Sequence, residues 1–195
     1  MASKENRRIK DVGTLKALAH PLRANLYRLL SVARVATASQ LADQVDEAVS
    51  LVSYHLRKLA EHGLIEEAEP QTGDGRERWW QPSSDGVSIR DADFRDAPEK
   101  AAAHTAATRL FHEQRADLYR RYLDERAAWG PEWNTACQDS ESWLRLTPTE
   151  LSELGEELLA LARKYDEKGR AAEAAGDTEG RENVALHVYG FPFRV

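Results

Sequence analysis

The feature that most constrains the fold is the order of elements between residues 11 and 82. Apolar residues recur at three- and four-residue steps over 11–33, 37–45 and 48–62, which indicates amphipathic helices. Residues 64–82 change to a strand-like pattern interrupted by Gly73-Asp74-Gly75, and Asp-Gly between two such runs predicts a β-hairpin. Helices followed by a hairpin in this order predict a helix-turn-helix with a wing.

Local signals predict where the helices begin and end. Pro21 interrupts the first helical stretch, and proline is well tolerated at the first position of a helix, so a second helix is expected to begin there. Thr37 with Gln40 three residues later predicts a capping box. Gly63 stands where a glycine commonly ends a helix.

The helix at 48–62 is expected to have one inward and one outward face. Its predicted inward stripe consists of Val49, Val52, Leu56 and Leu59. Side chains rich in hydrogen-bond donors lie mostly off that stripe, and a helix in the major groove needs such side chains on its outward face. Together with the two arginines of the wing, they form the predicted DNA-binding set. The set is Ser50, Ser53, Tyr54, Arg57, Lys58, Arg76 and Arg78.

Several fragments in this order resemble ArsR-like winged helix-turn-helix regulators. They are Leu15–Arg23 (LKALAHPLR), Gln40-Leu41-Ala42, Val52–Leu59 (VSYHLRKL), His62–Ile65 (HGLI) and Gly75–Trp80 (GRERWW). The resemblance covers about residues 11–84. It implies a homodimeric transcription factor, often a repressor, that reads a near-palindromic operator, with the helix after the wing forming the dimer.

Metal sensing, common in that family, is not expected here. The helix at 37–45 has no cysteine pair, and His104 and His112 are eight residues apart, unlike a zinc pair on adjacent turns. No metal site and no cofactor are predicted.

Composition and charge narrow the class of protein. The net charge is −6, but residues 1–90 hold 13 basic and 12 acidic side chains, so the acidic excess lies in the second half. The near-neutral first half is compatible with a DNA partner. The single cysteine, Cys137, excludes an internal disulfide, and with neither a signal peptide nor a membrane span the expected location is the cytoplasm.

The rest of the chain predicts a dimer helix and an accessory region. Residues 98–129 form one long helical pattern, with Leu110, Phe111, Leu118 and Tyr122 as the predicted dimer interface. Beyond it, strands are expected at 142–146 and 184–191, on either side of a helix that begins after Thr147 and is followed by a loop at 168–182.

The predicted fold class is mainly α, in an α+β arrangement: a winged helix-turn-helix, a long dimerisation helix and a small C-terminal strand-helix-strand extension. The predicted domains are 1–92 for DNA binding, 93–130 for dimerisation and 131–195 for the accessory region.

The predicted function is sequence-specific DNA binding by a homodimeric transcriptional regulator, with double-stranded DNA and a second copy as partners. An enzyme is not expected, because the chain has no glycine-rich phosphate loop, nucleophile elbow or catalytic constellation. Two alternatives remain. One is a winged-helix module that binds a protein and scarcely touches DNA. The other is a sensor in which the C-terminal unit or dimer interface binds an apolar small-molecule effector.

Overall fold

The computed structural model describes residues 6–71 and 77–194, and the chain divides into two compact units. The first unit is Met1–Asp124 and the second is Glu125–Val195. No helix in the described ranges is long and apolar enough to cross a membrane.

The first unit begins with a short strand and two helices that meet at Pro21. β1 is Arg7–Ile9, α1 is Val12–Leu18 and α2 is Pro21–Ala33. The Asp11 carboxylate caps α1 by accepting a hydrogen bond from the Thr14 amide at 2.7 Å. The predicted break is confirmed, since Pro21 occupies the first turn of α2 and His20 is the N-cap residue.

The helix-turn-helix consists of α3, Ala38–Val45, and α4, Val49–Glu61. The predicted capping box is present: the Thr37 hydroxyl accepts from the Gln40 amide, and the Gln40 side chain accepts from the Thr37 amide. Gly63 follows α4 with a φ of +62°, a conformation that disfavours residues with a Cβ. A Cβ there would also lie 3.1 Å from an Arg7 guanidinium nitrogen.

The predicted hairpin forms a three-stranded antiparallel sheet with a strand that precedes α3. β2 is Ala36–Thr37, β3 is Ile65–Ala68 and β4 is Trp79–Pro82, in the order β2-β4-β3. The predicted hairpin tip, at Gly73-Asp74-Gly75, lies outside the described residues.

A second sheet, which the sequence patterns did not predict, pairs the start of the unit with the chain that follows the wing. β5, Val87–Ile89, runs parallel to β1, with Arg7 opposite Val87 and Ile9 opposite Ile89. The Arg8 guanidinium donates two hydrogen bonds to the Asp93 carboxylate, at 2.6 and 2.7 Å. Arg7 donates to the carbonyl oxygen of Gly63, directly after α4.

The core of this unit lies between the helices and the three-stranded sheet. Its fully buried side chains include Leu15, Leu26, Leu30, Leu41, Val52, Leu56, Leu59 and Phe94. Trp79 and Trp80 are both buried, although neighbouring residues on a strand point to opposite faces of the sheet. β4 is the central strand, and each tryptophan is covered.

α5, Pro98–Glu125, confirms the predicted long helix, although its last turn, Arg126–Trp129, is a 3-10 helix. Ala107 is buried in the core, and Ala103 and Phe111 pack against it. These residues follow one another at four-residue steps, so one face of α5 belongs to its own domain.

The second unit contains two helices, α6, Gly130–Ala136, and α7, Pro148–Ala174. The expected helix start is confirmed by a capping box between Thr147 and Glu150. The predicted loop at 168–182 is wrong in its first part, because α7 continues to Ala174.

The two strands predicted in this unit, 142–146 and 184–191, are also wrong. The fold class is otherwise as expected, but the described residues of the second unit include no strand. Alternating apolar residues suit a strand only where a neighbouring strand pairs with its amides and carbonyls. None of the described residues from 125 to 194 is buried, so the unit has no core of its own.

Candidate nucleic-acid interface

The candidate interface is built on α4, which is anchored by its inward face. Val52, Leu56 and Leu59 are fully buried, and His55 is only 6% exposed. Burying a leucine or valine side chain stabilises a fold by about 1.5–3 kcal/mol, so these contacts fix the rotation of α4 about its axis. The opposite face is thereby presented outward.

Three of the predicted DNA-contacting residues lie on that outward face. Ser50, Tyr54 and Arg57 are all exposed and are spaced by four and three residues, which places them on one stripe. Ser53 and Lys58 are half-buried and flank the stripe.

Two apolar residues also reach this surface. Val49 is 44% exposed and Leu51 is 38% exposed, so the expectation that Val49 packs inward is wrong. Val49 stands on the first turn of α4, beyond the helices that cover Val52 and Leu56. Apolar side chains at such positions can contact the thymine methyl group.

The cations of the interface differ in their partners. Arg57 forms no hydrogen bond or ion pair within the part of the chain that the structure describes. The Lys58 ammonium donates to Glu61 at 2.7 Å, which raises the pKa of Lys58, and it lies 5.8 Å from the centroid of the Tyr54 ring. Arg57 is therefore the more available of the two.

The wing arginine that the structure describes is also paired. The Arg78 guanidinium lies 3.2 Å from a Glu67 carboxylate oxygen and 5.6 Å from the Trp80 ring centroid. Arg76 lies outside the described residues. A shallow hollow between α4 and the hairpin is lined by Arg57 and Arg78 together with the carboxylates of Glu61, Glu66 and Glu67. Arg57 is thus exposed beside three carboxylates, of which Glu61 and Glu67 are paired with Lys58 and Arg78.

Two histidines lie in contact behind the outward face of α4. The ring centroids of His20 and His55 are 4.6 Å apart, and the His55 ring meets Tyr54 edge-on at 5.2 Å. The Nδ1 atoms of both histidines are buried without a hydrogen-bond partner. Burial lowers the pKa of each ring, and the nearby Arg23 guanidinium lowers both further. His55 is a packing residue, since it is almost completely covered.

The α5 residues predicted to form a dimer interface are all half-buried in the single chain. Phe111 packs on the core of its own domain, so part of its surface is already used. Tyr119 and Leu123 on the same helix are each 44% exposed, and the Tyr119 and Tyr122 rings stack at 5.9 Å. Sequence periodicity alone missed these two, because it does not show which turns of a helix are covered.

The histidines of α5 do not form a metal cluster. The His104 ring stacks on Phe94 at 5.4 Å, and its Nδ1 lies 3.7 Å from Asp91. Over residues 6–71 and 77–194, no group of three or more histidine, cysteine, aspartate or glutamate side chains is placed to hold a metal ion.

Comparison with protein families gives one match. Residues 18–68 match the family described as a helix-turn-helix domain, and this segment contains α2, α3, α4 and β3. None of the curated proteins is similar enough to count as a match.

Several solved structures show weaker likenesses. One is described as a possible transcriptional regulator for arsenical resistance; it is 26% identical, covers 57% of this chain and 94% of its own, and has a TM-score of 0.32. ZitR of Lactococcus lactis, a zinc-responsive MarR family member, is 19% identical over 74% of each chain, with a TM-score of 0.31. The adhesin competence repressor AdcR of Streptococcus pyogenes is 14% identical over 75% of this chain and 81% of its own, with a TM-score of 0.30.

The family match and the observed order of elements lead to the same assignment. A buried helix pair with a capped first helix is followed by an antiparallel hairpin packed on the same core. The chain therefore carries a helix-turn-helix domain, as its sequence predicts, and the hairpin packed beside it makes this a winged helix-turn-helix, a fold that binds DNA in transcriptional regulators.

Proposed function

We propose that the protein is a sequence-specific transcriptional regulator that binds a near-palindromic operator as a homodimer and represses by occupying it. The observation that carries the proposal is the outward stripe of α4. There Arg57, exposed and without an ion pair among the described residues, stands in line with Ser50 and Tyr54. An anchored helix with such a face has the shape and chemistry needed to lie in the major groove.

Each residue of the stripe has a distinct expected role. Arg57 can donate two hydrogen bonds to a guanine edge, the commonest specific contact in the major groove. Ser50 and Tyr54 offer hydroxyl groups to bases or phosphates, and Val49 and Leu51 offer apolar contact to thymine. Ala48 caps α4 without a side-chain hydrogen bond, and no acidic residue stands in the first turn. The first amides of α4 therefore remain available to a phosphate.

The wing is proposed to hold the flanking backbone. Arg78, and Arg76 by the same sequence pattern, would contact phosphates, which position a protein without reading bases. Arg78 must exchange its partner Glu67 for a phosphate, so part of the gain in binding is offset by the loss of that ion pair. Lys58 faces the same exchange with Glu61.

The homodimer is proposed to form through α5. Leu110, Leu118 and Tyr122 remain half-exposed, and Tyr119 and Leu123 extend this surface. Two copies related by a two-fold axis would place two α4 helices on half-sites about one helical turn apart or a multiple of it.

Selection of bound duplexes from a random pool tests the proposal, because it reports binding, palindromy and spacing together. We expect an enriched inverted repeat that depends on Arg57. The proposal would be contradicted if no sequence is enriched and Arg57→Ala leaves the affinity for random DNA unchanged. That result would favour the protein-interaction alternative.

A sensor function is a second candidate, favoured by an aromatic pair in the second unit. The Trp129 and Trp133 rings meet edge-on, with centroids 6.4 Å apart, and Trp129 is 37% exposed. Such a pair can contact an apolar small molecule. Loss of operator binding on addition of an apolar ligand, together with quenching of tryptophan fluorescence, would support this role.

A further inference from the structure

The second unit has an apolar helix stripe that the described residues of that unit cover only in part. Along α7 the large apolar side chains follow a 3-4-3-4 spacing, the heptad pattern of a helix that packs against another helix. They are Leu151, Leu154, Leu158, Leu161 and Tyr165. The stripe continues over four turns, so a partner helix could follow it.

The first part of the stripe is partly covered within the unit, but the rest is open. Leu151 and Leu154 are half-buried, and a Cβ built on Gly190 would lie only 2.9 Å from Leu151. In contrast, Leu158, Leu161 and Tyr165 are 37%, 52% and 64% exposed. The open part is centred near residues 158–161.

The amount of exposed apolar surface calls for a partner. Large apolar residues are also exposed in the segments on either side of α7: Trp143, Leu144, Leu146, Val184, Leu186, Val188, Tyr189, Phe191 and Phe193. Together with the open part of α7 they leave many large apolar side chains uncovered, and a partner that covers a stable interface takes about 800 Å² from each side.

We propose that the stripe packs against α7 of a second copy, with the two helices antiparallel. A two-fold axis between residues 159 and 160 pairs Leu158 with the second copy's Leu161, and Leu154 with the second copy's Tyr165. Each of these contacts then occurs twice, as an isologous interface requires. The inference concerns self-association through the second unit and does not depend on the proposed reading of DNA.

The charges beside the stripe select this orientation. Glu157 and Lys164 lie one heptad apart on the same edge, and both are exposed. In the antiparallel pair each Glu157 faces the second copy's Lys164, which forms two ion pairs of opposite charge. In parallel helices this edge would face the opposite edge of the second copy, so Glu157 would lie beside Ala162 and Lys164 beside Gly169, and neither ion pair would form.

The other edge of the stripe allows a close approach. Gly155, Ala162 and Gly169 recur there at seven-residue steps, and a Cβ at Gly155 or Gly169 would meet no atom within 4 Å. Side chains of this size leave room for a second helix backbone. The acidic first half of α7 and the more basic stretch at 163–170 then face each other in both directions.

Charge reversal in the full-length protein tests the pairing. We expect Glu157→Lys alone and Lys164→Glu alone each to weaken self-association about tenfold in sedimentation equilibrium without DNA, since several weak charge contacts change together. The double variant, Glu157→Lys with Lys164→Glu, restores opposite charges and should return to within about threefold of the wild type. Glu156→Lys, on the outward face of the same helix, is the matched control and should change nothing.

Cysteine crosslinking tests the direction. With Cys137→Ser as background, because Cys137 is exposed, chains carrying Glu157→Cys are mixed with chains carrying Lys164→Cys. We expect a disulfide-linked dimer in the mixture and little from either chain alone. Along the helix axis, position 157 lies about 3 Å from position 164 of the second copy, whereas the two 157 positions are about 7.5 Å apart and the two 164 positions about 13.5 Å apart.

Three results would overturn the inference: single reversals that leave association unchanged, a double reversal that is not restored, or efficient crosslinking of Glu157→Cys alone. Failure of the proposed function shows separately, as an absence of sequence-selective DNA binding by the wild-type protein.

Discussion

Replacement of Arg57 by alanine separates base reading from every other role of α4. Arg57 is exposed and forms no ion pair or hydrogen bond within the described ranges, so its loss removes no contact of the fold. The free energy of unfolding should therefore change by less than about 0.5 kcal/mol. By comparison, truncating the fully buried Leu56 to alanine should cost about 2–5 kcal/mol.

The effect on binding follows from the chemistry of the guanidinium group. A bidentate contact to guanine contributes about 1–3 kcal/mol of discrimination, so affinity for the selected duplex should fall about 5- to 150-fold. Affinity for a duplex in which the contacted guanine is replaced should fall much less. The variant is thus expected to lose specificity at one position of each half-site.

Fluorescence anisotropy on a panel of single-base duplex variants, at two salt concentrations, measures both quantities. Arg145→Ala is the matched control, because Arg145 is an exposed arginine that lies outside both α4 and α7. A loss of equal size on every duplex would make Arg57 a phosphate contact. Unchanged affinity on all of them, with an unchanged melting temperature, would refute the assignment of α4 as the reading helix.

Three further predictions concern the charges around the site. Arg76→Ala and Arg78→Ala should each weaken binding uniformly across sequences and lower the salt slope by about one; an unchanged slope would remove the wing from the interface. Glu67→Gln should strengthen binding two- to fivefold by freeing Arg78 from its ion pair, measured beside Glu153→Gln on α7 as a control, and weaker binding would contradict this reasoning. Because the pKa values of His20 and His55 are lowered in the fold, the unfolded chain takes up protons first as the pH falls below about 6.5. The free energy of unfolding, from urea titrations, should therefore decrease from pH 7.5 to pH 5.5. The decrease should be smaller in the double variant His20→Asn with His55→Gln. An equal decrease in both proteins would show that other groups cause the pH dependence.

Much of the helix-turn-helix was predictable because its boundaries are set by local chemistry. The Thr37 capping box, the proline at the start of α2 and the positive φ of Gly63 each act within a few residues. The outward face of α4 was predictable from the same periodicity, since a helix with one apolar stripe must turn its other side chains outward.

The features that sequence reasoning missed depend on contacts between distant segments. The parallel pairing of β1 with β5 joins residues about 80 apart and involves only three residues on each strand, so no local pattern marks it. Phe111 belongs to an apolar stripe, but periodicity cannot show that its own domain covers it. The expected C-terminal strands had the right alternation, yet a strand also needs a neighbour with which to share hydrogen bonds.

The short strand β1 adds a polar connection between the end of α4 and the segment just before α5. Through Arg7 it bonds to the carbonyl at the end of α4, and through Arg8 it bonds to Asp93, just before α5. If α5 rotates against α5 of a second copy, the end of α4 must therefore move with it or these bonds must break. The distance between the two α4 helices of a dimer would then depend on β1, a strand of only three residues.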